Sequence, residues 1–346
     1  MSSRPAPEAL LPWALSALAV SASAETPAIT MVAGDASNRR YFRLAVSAGT
    51  YILAEAPPAT EKNEAFLATR ELLAGAGVAV PAVFAVDLAR GYLLLEDLGD
   101  RVLLAELDVG SVDGCYRRAC EVLSQMAALT TGQLALPAFD ETLLGEELSR
   151  FPRWFVEALL SCSLSEQEQL VMDQLFEKLI NCALEQPRVL VHRDFHSRNL
   201  MPQDDGRLAV IDFQDAVVGP VSYDLVSLLR DCYIQWPADQ VAGWALAHRD
   251  LLCARGLLPE VDDARFMRWF DWMGLQRHLK VLGTFARLHL RDGKPGYLED
   301  LPLVIHYVLE ILDKYSDEEP VFAAFRECFD LRLAPLIVKQ HWNNKS

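Results

Sequence analysis

Two short runs decide the reading of this chain: VHRDFHSRNLM at 191–201 and LAVIDFQD at 208–215. The first carries His192, Asp194 and Asn199 in the spacing H-x-D-x-x-x-x-N, and Asp212 follows Asn199 by thirteen positions at the end of an apolar run. Phosphoryl transfer asks a protein for little covalent work. It needs a carboxylate to orient the attacking hydroxyl and oxygen ligands to hold magnesium against the phosphates. One loop can present Asp194 to a hydroxyl and Asn199 to a metal, and Asp212, leaving the neighbouring strand, adds the hard anionic oxygen that Mg²⁺ prefers. A purely structural role, with His192 and Asp194 ending a strand and Asn199 capping a turn, leaves the order strand, loop, Asn, strand, Asp without a reason.

Outward from these runs the chain changes character. Between 29 and 98 it shows short runs rich in branched and aromatic residues, ITMVAG, RRYFRLAV, TYILAEA, VAVPAVFAVD and GYLLLEDLG, bounded by Gly, Ser, Asp or Pro. A helical pattern at 61–73, stopped by Gly75 and Gly77, stands between the third and fourth. From 103 onward long segments of helical periodicity dominate, broken by the two runs quoted first. The expected fold class is α+β: an antiparallel-sheet N-lobe over 1–99 and a mainly helical C-lobe over 100–346, in a two-lobed arrangement.

The H-x-D-x-H-x-x-N loop and the following DFQ resemble those of the aminoglycoside phosphotransferase and choline kinase superfamily, a branch of the protein-kinase-like fold. His196 fits the small-molecule branch, since protein kinases place Lys two residues after the Asp. The resemblance implies ATP and Mg²⁺ as cofactors, Asp194 as catalytic base, Asn199 and Asp212 as metal ligands, and Asp224, in GPVSYDLVSLL, as a buried anchor for catalytic-loop amides, with His192 supporting the loop. The alternative for Asp224 is a helix N-terminal acid favoured by the macrodipole. GDASNRRYFRL at 34–44 is similar to the family's nucleotide-binding turn, with Gly34, Ser37, Asn38 and Arg39 as candidate phosphate contacts. LLLEDLG at 93–99 sits where the family connects its lobes, which assigns adenine to main-chain groups near Glu96 and Leu98. One departure stands out. Where family members carry a strand lysine, TYILAEAPP offers Ala54 and Glu55. Lys62, Arg39 or Arg40 substitutes for it, or magnesium neutralises the phosphates; the partner acid is Glu64 or Glu71.

Bulk properties narrow the partners. The chain has 346 residues and a formal net charge of −16, which argues against a nucleic-acid backbone as substrate. Seven cysteines, with no CxxC pair, fit reduced thiols of a cytoplasmic protein. The N-terminal apolar stretch 10–20, followed by Ala22-Ser23-Ala24, mimics an export signal, but Glu8 at its edge and Pro12 within it favour an amphipathic helix packed on the N-lobe. No run of about 20 apolar residues is present, so no membrane span is expected. A monomer or weak dimer is expected.

Within the superfamily, the stretches GDASNRRYFRL, LLLEDLG, IDFQDAVVGPVSYDLVSLLRD and QRHLKVLGTFARL are most similar to bacterial kinases that phosphorylate N-acetylmuramate and N-acetylglucosamine at the anomeric hydroxyl, in peptidoglycan recycling. On the helix expected at 266–290, Arg277, Lys280, Arg287 and Arg291 fall along one face. With His196, Arg277 and Lys280 are candidate substrate contacts, and the basic face is able to meet a sugar carboxylate or the ATP phosphates; a solvated face is the alternative. His278 reads as a packed histidine. An aminoglycoside kinase and a nucleotide-binding pseudokinase are the rival functions.

Overall fold

The structure, a computed structural model, describes residues 5–20, 27–32, 38–130, 132 and 135–344. The chain divides into two compact units: 1–105 together with 199–215, and 106–198 together with 216–346.

The smaller unit is built on strands β1 (Ile29–Met31), β2 (Arg40–Val46), β3 (Gly49–Glu55), β4 (Val83–Asp87) and β5 (Tyr92–Glu96), paired antiparallel in the order β1-β2-β3-β5-β4. Side chains alternate between the faces of a strand, so Phe42 and Leu44 of β2, Leu53 of β3, and Tyr92 and Leu94 of β5 share one face. Helix α1 (Leu10–Ala17) covers that face, burying Leu10 and Ala14 in the same cluster and setting Trp13 5.6 Å from the Tyr92 ring. The apolar N-terminal stretch is therefore a packed helix; Ala22-Ser23-Ala24 lies outside the described residues. Helix α2 (Asn63–Gly75) follows β3, two residues later than its expected start. A second sheet in this unit is the hairpin β7 (Leu200–Pro202) and β8 (Leu208–Val210); its Ala209 makes a parallel bridge to Ala79.

In the larger unit helices α3 (Val112–Ala127) and α4 (Glu141–Leu148) precede a wide π-type helix at Phe151–Leu159, then α5 (Glu166–Leu184). Strand β6 (Arg188–Val191) pairs antiparallel with β9 (Val217–Pro220). Helix α6 (Tyr223–Leu229) is buried at every residue. It is followed by α7 (Ala238–Ala254), α8 (Asp263–Leu290), α9 (Leu301–Tyr315), α10 (Pro320–Cys328) and the short α11 (Ala334–Ile337). Helix α8 is the axis of this unit: from Phe266 to Leu288 most of its side chains are buried. Its N-cap Asp262 accepts from the Arg265 N–H at 2.8 Å, which satisfies one of the orphan amides of the first turn.

Candidate active site

The H-x-D loop begins where β6 ends, and the larger unit holds it by its backbone. Asp224, in the first turn of α6, accepts from the His192 N–H at 2.6 Å and from the Arg193 N–H at 3.0 Å. Arg193 has φ +77°, a left-handed conformation that costs a side chain free energy unless its surroundings hold it. The two bonds to Asp224 do so here. Burial pushes the Asp224 carboxyl up to about 7, against the two amides, which favour its charged form. Buried His192 accepts at Nδ1 from the Asp194 N–H at 3.2 Å. Further along, the Ser197 N–H donates to Asp231 at 2.9 Å, and the Arg198 guanidinium lies 3.5 Å over the Tyr233 ring. His196 meets the same ring edge-on at 5.4 Å.

Asp194 keeps 41% of its side chain exposed, with Lys280 of α8 3.9 Å away. Burial pushes its carboxyl up, but the Lys280 ammonium, followed by His196, Arg193 and Arg277, more than offsets this and holds it well below the usual range. Such a carboxylate stays ionised at neutral pH and is a weak base, suited to orienting a hydroxyl and taking its proton late.

Behind Asp194 lies an acid that sequence reasoning missed. Glu147 of α4 is fully buried, bound by the Arg193 guanidinium, 3.9 Å from Lys280, 3.3 Å from the Tyr223 hydroxyl and 3.3 Å from the Gln276 amide. Its carboxyl would be pushed up by burial, yet Lys280 and Arg193 hold it below its ordinary value. The signal was present: Glu147 stands at i+3 from Leu144 and i−1 from Leu148, on the apolar stripe of its helix, where a carboxylate needs a partner.

The four basic residues of α8 do not share one environment. Arg277 and Lys280 are buried, Arg287 is half-buried, and Arg291 is exposed and paired with Asp292 at 2.7 Å. A solvated stripe therefore describes Arg291 only. His278 is buried, stacked on Tyr307 at 4.8 Å with Nε2 3.0 Å from the Arg230 carbonyl.

Asn199 and Asp212 belong to the smaller unit, the chain passing from one unit to the other after Arg198. They stand at the same end of the β7–β8 hairpin: Leu200 pairs with Val210, and the Ile211 N–H donates to the Asn199 carbonyl at 3.1 Å. Asp212 has φ +66°, and the Gln214 amide donates to its carboxylate at 2.7 Å. The chemistry of this donor pair, one amide oxygen and one carboxylate, fits Mg²⁺, which takes one or two carboxylates and completes its shell with water and phosphate oxygens. Among the described residues no group of three His, Cys, Asp or Glu side chains forms a denser metal cage.

Gly34 and Ser37 lie outside the described residues. Asn38 donates its N–H to Glu61 at 3.1 Å. Arg39 is buried, 4.9 Å over the Phe66 ring, reaching Gln214 and Asn63 at 3.4 Å each and Glu61 at 3.8 Å. Arg40 pairs with Glu55 across β2 and β3, and Lys62 with Asp215 at 2.9 Å. The acid that meets Arg39 is thus Glu61, just before α2; Glu64 is exposed and Glu71 pairs with its neighbour Arg70. At the end of β5 the Glu96 N–H donates to the Ala82 carbonyl at 2.9 Å, and the Leu98 carbonyl accepts from Gln203 at 3.4 Å.

A model of the phosphotransferase enzyme family, APH, matches residues 28–270. The chain belongs to that family. Two relatives of this phosphotransferase carry the name N-acetylmuramate/N-acetylglucosamine kinase. One, from Pseudomonas putida, is 40% identical over 292 residues, covering 84% of this chain and 86% of its own. The other, from Neisseria meningitidis, is 37% identical over 304 residues, covering 86% and 90%. A choline/ethanolamine kinase family protein from Mesorhizobium loti shares the fold with a TM-score of 0.59 at 17% identity, over 92% of this chain and 99% of that one. Among the described residues of this phosphotransferase, no helix is long and apolar enough to cross a membrane.

Proposed function

We propose that this phosphotransferase transfers the γ-phosphoryl group of ATP to the anomeric hydroxyl of N-acetylmuramate and N-acetylglucosamine, with Mg²⁺, in cytoplasmic recycling of wall sugars. As the sugar oxygen attacks phosphorus, its O–H bond breaks and the proton passes to Asp194; the bond from phosphorus to the bridging oxygen breaks, and ADP leaves with that electron pair. Asp194 orients the acceptor, Asp224 and His192 hold its loop, and His196 borders the sugar. Asn199 and Asp212 would hold the metal, which supplies neutralisation of the phosphate charge. Asn38 and Arg39, together with Gly34 and Ser37, attend the phosphates. At the adenine, the Glu96 N–H is committed to Ala82, which leaves the Leu98 N–H as the donor to test.

The observation that carries the reading beyond a generic kinase is the charge around Asp194. Lys280 and Arg193 there are balanced by Glu147 and Asp194, and Arg277 is a further cation on the same unit with no carboxylate at ion-pair distance among the described residues. Polycationic aminoglycosides and quaternary ammonium alcohols would meet like charge there, whereas a neutral or acidic sugar would not. The names of the relatives point the same way. The test is a phosphoryl-transfer panel of N-acetylmuramate, N-acetylglucosamine, kanamycin and choline, with phosphorus NMR of the products. Phosphate on the anomeric carbon of either amino sugar is expected; turnover of kanamycin alone would overturn the proposal.

A further inference from the structure

Lys280 and Arg277 stand one turn apart on α8, yet of the two only Lys280 has carboxylates at ion-pair distance among the described residues. Lys280 lies between two carboxylates, Glu147 and Asp194, at 3.9 Å from each. Arg277 is 2% exposed, and its one polar contact among the described residues is Nη1 to the Cys232 sulfur at 3.5 Å, with Nε unpartnered. The buried acids nearby are spoken for. Glu147 binds Arg193 and Lys280, Asp271 binds Arg230 and Lys314, Asp224 accepts from the His192 and Arg193 N–H groups, and Asp231 accepts from the Ser197 and Tyr233 N–H groups. A guanidinium does not escape burial by losing its proton, and a buried charge without a close counter-charge destabilises the fold. A thiol at that distance offsets little of this.

We infer that Arg277 is the receptor for the carboxylate of the acidic sugar, so that it, and not Lys280, distinguishes N-acetylmuramate from N-acetylglucosamine. The inference rests on the proposed sugar-kinase reading and deepens it. N-acetylmuramate is N-acetylglucosamine with a lactyl ether on O3; C1 and C3 are separated by one ring atom, so the carboxylate stays within a sugar's width of the anomeric oxygen. Asp194, which faces that oxygen, is the carboxylate beside Lys280. Arg277 lies one turn further back along the same helix face, roughly 5 Å along the axis. The planar guanidinium suits a carboxylate bidentately, and water is excluded around it, which strengthens the bond.

The test compares kcat/KM of the full-length protein for N-acetylmuramate, its methyl ester and N-acetylglucosamine, in the wild type and in Arg277→Gln and Arg277→Lys. In the wild type the acid is expected to exceed its ester by roughly 10- to 100-fold, the range of one charge-assisted hydrogen-bonding pair. In Arg277→Gln the ratio of acid to N-acetylglucosamine should fall by a similar factor, mostly through KM, and acid and ester should converge; Arg277→Lys should recover part of the ratio. Ratios cancel any loss of folded protein, and the ester comparison needs no variant. Equal handling of acid and ester by the wild type, or an unchanged ratio in Arg277→Gln, overturns the inference while leaving sugar phosphorylation in place. Absence of anomeric phosphorylation of both sugars by the wild type sinks the sugar-kinase reading itself.

Discussion

At the scale of single residues, Asp194 and Asp224 are two aspartates thirty residues apart whose surroundings drive them in opposite directions. Cations hold Asp194 ionised, while burial pushes Asp224 up to about 7. Replacing Asp194 with Asn removes the proton acceptor but no proposed nucleotide contact. Turnover should drop by roughly 10²- to 10⁴-fold, with ATP affinity retained in a titration; a wild-type rate would contradict the assignment. For Asp224 the sign follows from linkage. Its ordinary value is 3.8, so between about pH 4 and about pH 7 the folded state keeps a proton that the unfolded state has released, and stability falls as pH rises through that window. The melting temperature of Asp224→Asn should lack this fall, so the difference between wild type and variant should change between pH 4.5 and 8. Parallel curves would show that Asp224 ionises normally. Asp194, Asn199 and Asp212 stood out in the sequence by their spacing, because phosphoryl transfer calls for those residue types. Glu147 and Glu61 were not singled out, because an acid's partners come from distant segments.

At the scale of elements, α8 could be read as a helix from its periodicity, but its depth could not. Its basic residues suggested an outer face, and the packing around Arg277 and Lys280 put that part inside. One position controls how closely the helix is approached: a Cβ on Gly283 would fall on the Arg150 carbonyl and 2.6 Å from the Phe151 nitrogen, at the start of the π-type helix. Backbone cannot turn away as a side chain can. Gly283→Ala should therefore destabilise the protein by about 1–3 kcal/mol or more, read as a lowered denaturant midpoint; an unchanged midpoint would mean the two helices slide freely. The five strands and the inserted helix of the smaller unit were predictable from their alternation and breakers. The helix began two residues late because Lys62 and Glu61, polar and helix-compatible, face Asp215 and Arg39 instead.

At the scale of the whole molecule, a chain of net charge −16 that handles anions must gather its cations locally, and it does so beside Asp194. A composition reading argued against nucleic acid, but could not show where the basic residues collect. Nor could it show that 199–215 folds with the N-terminal residues, since hairpin pairing across distant segments leaves no mark in local periodicity. Because Asn199 and Asp212 share one hairpin end, Asp212→Ala should weaken Mg²⁺-dependent ATP binding by about tenfold or more, while leaving metal-free nucleotide binding little changed. Superimposable Mg²⁺ titrations would count against the pair as ligands.

The ammonium of Lys280, shared between Glu147 and Asp194, also bears on how such a chain can diverge. Losing either acid leaves Arg193 and Lys280 sharing one carboxylate, and losing the lysine leaves Arg193 to offset both acids, so no single step away from the trio is neutral. Descendants should inherit these positions as a block or exchange them together, and a library that varies Glu147 and Lys280 simultaneously should yield active combinations that one-at-a-time scanning never reaches.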